Sequence, residues 1–231
     1  TTSQCRVGNF YSRTNDFTRA DSILNIALAD ATARENLRLK SLALNSIGDE
    51  LRIQNQYDTA IAVLHQARVL AISVGDRKRH ASCLNAIGEA YRSQTKFDSA
   101  TKYFNEGLQV AAAINDKDRM TKCLSGLGSI YRTQNNGPKA LDYMQQALVI
   151  ARSIKDRRGE SVALGSIGGL YFQEDDFDRA RQYFDSSMVI AQELKDNTRI
   201  IYCQLTIGAG YEQDSLFADA EKSYRGAYDL A

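Results

Sequence analysis

Residues 163–180 read A-L-G-S-I-G-G-L-Y-F-Q-E-D-D-F-D-R-A, and the first half places Gly165, Gly168 and Gly169 within an otherwise helical apolar spacing. A glycine inside a helix costs about 1 kcal/mol relative to alanine, so each needs a cause in packing or in function. For the middle one the cause is a repeat. In rows of forty residues, Gly8, Gly48, Gly88, Gly128, Gly168 and Gly208 fall in one column, preceded by Val7, Ile47, Ile87, Leu127, Ile167 and Ile207. Three residues on stand Tyr11, Leu51, Tyr91, Tyr131, Tyr171 and Tyr211. Phe17, Tyr57, Phe97, Phe177 and Phe217 form an aromatic column that Gly137 breaks, and Ala20, Ala60, Ala100, Ala140, Ala180 and Ala220 align without exception. Recurrent small residues mark helices that pass close together.

Within each unit the apolar positions recur at three and four, as in Leu84, Ile87, Tyr91 and Phe104, Leu108, Ala111. That is the helical period, so each unit is expected to be two helices. Polar stretches such as Gln54-Asn55-Gln56, Asn135-Asn136-Gly137-Pro138 and Glu174-Asp175-Asp176 part them, with Pro138 at a helix start that tolerates its missing amide. Between units, Gly75-Asp76, Asn115-Asp116, Lys155-Asp156 and Lys195-Asp196 read as a helix end followed by an aspartate that caps the next helix. The expectation is one all-α domain over 1–231, with repeats 1–43, 44–83, 84–123, 124–163, 164–203 and 204–231.

These columns resemble the tetratricopeptide repeat (TPR): a small residue at eight, tyrosine at eleven, an aromatic at seventeen, alanine at twenty and a small residue at twenty-seven (Ala27, Ala67, Gly107, Ala147, Ser187, Ala227). The usual unit has 34 residues, whereas here it has forty and lacks the proline near its end. The longer unit is similar to the subclass found in Pins-type spindle-orientation scaffolds and in bacterial signalling proteins, and L-N-A-I-G-E-A-Y (84–91) is more similar to the bacterial group. The resemblance implies a right-handed superhelical solenoid of about six antiparallel helix pairs, with the first helix of each pair lining a concave groove.

Composition narrows the partners. The 29 basic and 28 acidic residues nearly cancel, so no global field draws the chain to nucleic acid or an anionic membrane. No apolar run is long enough to span a bilayer. The N-terminal T-T-S-Q-C lacks both an initiator methionine and the features of a signal peptide, and reads as an excerpt of a longer protein. His65 and His80 have no metal-ligand spacing around them and read as surface residues, and no catalytic or phosphate-cradling motif is present. No metal, cofactor or enzymatic activity is expected. Cys83, Cys123 and Cys203 share a column with Ala43 and Ala163 and read as small, buried, free thiols, which favours a cytoplasmic setting without excluding the periplasm.

By the same resemblance the groove-facing columns are two, five, nine, twelve and thirteen. They hold Asn45 and Asn85, then Asp49 and Glu89, then a ladder of Arg52, Arg92 and Arg132 that ends in Phe172. Asparagine offers a donor and an acceptor to a peptide backbone, and arginine holds a carboxylate by two parallel bonds. Asp49 and Glu89 lie one turn before Arg52 and Arg92 and are also placed simply to pair with them. In the fifth repeat Gly165 and Gly169, with Val162, Phe172, Tyr202 and Leu205, are expected to leave room for a bulky apolar ligand group. The carboxylate clamp of chaperone-binding TPRs is not matched, since Cys5, Ser46, Ser82 and Ala86 occupy its positions beside a lone Asn9. The expected function is a non-catalytic scaffold for a peptide or helix with acidic residues and an apolar anchor, as the input or assembly region of a signalling protein. The alternative is a structural spacer or self-assembly module, including a homodimer through an uncapped terminal repeat.

Overall fold

The forty-residue period resolves into a helix of 17 residues, a short turn, a second helix of 17 and a second turn, as in Leu37–Ile53 and Tyr57–Ser73. The computed structural model describes residues 1–230. Their helices are α1 (Thr2–Arg13), α2 (Phe17–Ala33), α3 (Leu37–Ile53), α4 (Tyr57–Ser73), α5 (Arg77–Ser93), α6 (Phe97–Ala113), α7 (Lys117–Thr133), α8 (Gly137–Ser153), α9 (Arg157–Gln173), α10 (Phe177–Glu193), α11 (Asn197–Gln213) and α12 (Phe217–Tyr228). Helix pairs therefore begin at Leu37, Arg77, Lys117, Arg157 and Asn197, and boundaries at 44, 84, 124, 164 and 204 fall inside first helices. The chain forms two compact units, Thr1–Gly126 and Leu127 onward.

Each turn ends one helix and starts the next by the same chemistry. At the end of α3, Gln56 N–H donates to the Leu51 carbonyl at 2.8 Å and Asn55 N–H to Arg52 at 3.1 Å, a Schellman closure with Asn55 in the left-handed region. The same conformation recurs every twenty residues, from Asn15 to Ser215, and only Gly75 meets it with glycine. Capping aspartates then accept from the backbone three residues on: Asp76 from Arg79 at 2.9 Å, Asp116 from Arg119 at 3.2 Å, Asp156 from Gly159 at 2.9 Å and Asp196 from Arg199 at 3.1 Å. Thr95 is the least suited of the left-handed residues, being β-branched at a φ of 58°. Thr95→Gly is expected to raise stability by about 1 kcal/mol, read as a higher urea midpoint with an unchanged slope.

Packing is set by the glycine column. Large side chains sixteen positions after the glycines fill the space that an absent Cβ leaves open. A Cβ on Gly48 would stand 2.5 Å from Leu64 Cγ, on Gly88 2.9 Å from the Phe104 ring and on Gly128 2.8 Å from Met144. Leu24, Leu64, Phe104, Met144 and Phe184 are accordingly buried. On the same helix pairs tyrosines stack, Tyr91 on Tyr103 at 5.4 Å and Tyr171 on Tyr183 at 5.5 Å, with Lys96 or Arg179 over the outer face.

Within the first unit, α1 touches α3 and α3 touches α5, whereas no Cα pair within 8 Å joins α2 to α4 or α4 to α6. First helices thus form a tight inner layer and second helices a splayed outer one. The second unit shows the same difference, with α9 touching α11 and no such approach between α10 and α12.

Candidate functional site

In the first unit the inner layer carries ionisable groups that sense one another. Asp49 on α3 is half-buried, its side chain keeping 38% of its exposure. Burial pushes its carboxyl up from the ordinary range, against the pull of Arg52, Lys122 and Arg13, while Glu89 adds to the push. These five residues come from α1, α3, α5 and the part of α7 before Leu127, so one face gathers them.

The arginines on this face are already engaged. Glu89 Oε2 accepts from Arg92 Nε at 3.1 Å and from a terminal nitrogen at 2.7 Å, and Asp49 stands 3.9 Å from Arg52 Nε. The pairing one turn apart that the sequence allows is therefore present in the free chain. Asn45 is buried at 7% exposure, and both ends of its amide are used: Nδ2 donates to Asp49 at 3.2 Å and Oδ1 accepts from the Cys83 thiol at 3.3 Å. It holds Asp49 in place. Asn85 is half-buried, with Nδ2 3.9 Å from Cys123 Sγ. All four cysteines are buried and free, and burial drives the Cys83 and Cys123 thiols up to about 12.

In the second unit the glycines are covered. A Cβ on Gly169 would meet Arg132 Nη1 at 2.9 Å and the Tyr202 hydroxyl at 3.3 Å, and one on Gly165 would meet Arg199 Nη1 at 3.4 Å and Ser187 Oγ at 3.3 Å. The room expected for a ligand group holds the chain's own guanidinium groups and a tyrosine. Phe172 packs on Phe177 at 5.4 Å and against the buried cluster formed by α8 to α11. Tyr202 at 40% and Leu205 at 47% exposure remain open, and Val162 is half-buried.

Residues that the groove columns missed lie at the starts of the first helices. Arg79, Arg119 and Arg199 share a column, visible in the sequence as an alignment three residues after each capping aspartate. Arg119 Nε donates to Ser82 at 2.8 Å, which places that guanidinium against the first helix of the preceding pair. The histidines are half-buried and not simply at the surface: His65 Nε2 lies 3.4 Å from the Tyr103 hydroxyl, and the charges of Arg68 and Glu106 act on both rings.

A model of the tetratricopeptide repeat matches residues 40–113, 79–153 and 121–193. No curated protein sequence matches the chain. Among solved structures it is similar to a Rap protein complexed with competence and sporulation factor, at TM-score 0.78 and 14% identity over 96% of this chain and 72% of that one. NprR in complex with its cognate peptide NprX matches at TM-score 0.73 and 15% identity, covering 100% and 66%. BtubC from P. vanneervenii matches at 0.75 and 17%, covering 90% and 86%.

Proposed function

The chain belongs to the tetratricopeptide repeat family, and on that footing we propose that it binds a peptide or helix of a partner protein along the open side of its first helices, without chemistry of its own. One observation carries this reading. Arg13, Asp49, Arg52, Glu89 and Lys122 gather on one face, where burial raises the Asp49 carboxyl and the cations pull against that rise, although helix packing needs no charge there. Ionisable groups left on a concave wall are suited to an extended or helical ligand. NprR, similar in fold, is seen with its cognate peptide NprX, which supports a peptide as occupant. The partner carries acidic residues for the arginines and an apolar anchor of the kind that Tyr202 and Leu205 accept. In a larger signalling protein the chain serves as the input or assembly region.

Selection from a displayed random-peptide library tests this. The expected result is an enriched acidic consensus that a chain carrying Arg52→Glu, Arg92→Glu and Arg132→Glu no longer captures. Failure to enrich any peptide, or equal capture by the triple variant, contradicts it. A self-assembly reading finds support in the exposed Phe217 and Tyr228 of the last helix pair. Sedimentation showing mass rising with concentration, with the peptide surface inert, would favour that reading instead.

A further inference from the structure

In the first unit Arg52 and Arg92 have carboxylates one turn before them, Asp49 and Glu89. Arg132 has Ser129 at that place, and among the described residues no carboxylate lies within ion-pair distance of its guanidinium. Arg199 differs from Arg119 in the same way. Arg119 reaches back to Asp116 at 2.7 Å, whereas among the described residues the Arg199 side chain has no ion-pair partner, and only its backbone N–H bonds Asp196. The Tyr202 hydroxyl has no hydrogen-bond partner among the described residues, and its ring lies 5.8 Å from the Arg199 guanidinium carbon.

These three unpaired groups meet on one surface. Arg132 from α7 and Tyr202 from α11 both rest on Gly169, while Arg199 from α11 rests on Gly165 one turn away on α9. Gly169 allows this approach, since a Cβ there would press on the Arg132 guanidinium at 2.9 Å, whereas one on Gly165 would lie in ordinary contact with Arg199 at 3.4 Å. Taking about 6 Å between neighbouring turns, the two cations stand no more than about 12 Å apart. Alternate side chains of an extended peptide lie about 7 Å apart on one face, which fits that span. Half-buried guanidinium groups without counter-charge favour bidentate carboxylate partners, and the phenol supplies one further donor.

We propose that Arg132, Arg199 and Tyr202, seated on Gly165 and Gly169, form the site that holds two carboxylates of an extended acidic peptide at alternate positions. This rests on the peptide-binding reading above and deepens it within the second unit.

The test is fluorescence anisotropy with a labelled octapeptide of alternating glutamate and glycine, its glutamine counterpart, and inorganic phosphate as competitor. The glutamate peptide is expected to bind at least about tenfold more tightly than the glutamine peptide. Arg132→Gln and Arg199→Gln should each weaken it about tenfold, about 1.4 kcal/mol. Arg34→Gln, an exposed residue at the end of α2 that pairs with Asp30, should leave it within about twofold. Gly169→Ala should also weaken binding without loss of helical signal, which separates a displaced guanidinium from a misfolded chain. Dependence on Arg52 and Arg92 instead would overturn this site and leave the peptide reading standing. Tight binding of the glutamine peptide would do the same. Displacement by phosphate at equal charge concentration would make the cradle a general anion site and overturn its assignment to a peptide, and no binding of either peptide would overturn the proposal together with the reading beneath it.

Discussion

Glu50→Gln is expected to stabilise the chain at pH 8 by about 2–3 kcal/mol and to remove a fall in stability between about pH 5 and 7. Glu50 is 1% exposed, and neither carboxyl oxygen has a hydrogen-bond partner. Other residues of its column are Phe10, Ala90, Ile130, Leu170 and Gly210, so the acid occupies an apolar seam. Gln54, one turn on, faces it without reaching hydrogen-bond geometry, and its own Nε2 is left unpaired. Burial, with the Asp21 carboxylate beside it, pushes Glu50 up to about 7.

The sign follows from linkage. The folded chain holds the proton more tightly than the unfolded one, so the stabilisation is complete below the ordinary glutamate range and is lost as pH rises through about 7. His65 and His80, whose rings burial pushes down, act in the opposite sense in the same window. The informative quantity is therefore the difference between wild type and Glu50→Gln in urea melts at pH 5 and pH 8. The difference should grow with pH; equal differences at both would show that Glu50 is charged or solvated throughout.

The second large effect separates two kinds of glycine. Gly48→Ala should destabilise by about 2 kcal/mol even though alanine is the better helix former by about 1 kcal/mol. Its Cβ would press on Leu64 at 2.5 Å, and Leu64 is fully buried with no room to retreat. Gly169→Ala meets only the ends of Arg132 and Tyr202, so the helix preference should win and stability should rise by up to about 1 kcal/mol. Urea midpoints of both variants check the pair, and a Gly48→Ala chain as stable as wild type would remove the close-packing account of the repeated glycine.

That column, the capping aspartates and the turn spacing were legible because each acts within its own row of forty, between residues twenty or fewer apart. What covers Gly165 and Gly169 was not, because Arg132, Arg199 and Tyr202 come from the helix pairs before and after, 33 to 37 residues away. A missing side chain carries no sign of what replaces it. The arginines at 79, 119 and 199 align as clearly as those at 52, 92 and 132, but they sit at helix starts, outside the columns assigned to the groove by resemblance. Asn45 stands in a groove column as a donor and acceptor for a ligand, yet only the fold shows its amide spent on Asp49 and Cys83. Glu50 gave no warning, since one acidic residue in an apolar column looks like surface variation until both oxygens are found buried.

Hydrogen exchange on the chain with and without a selected peptide tests the central claim most directly. The account predicts slowed exchange in the first helices, with α9 and α11 foremost, and no change in α4, α6 and α10. Protection confined to those second helices would place the partner on the outer layer and contradict it.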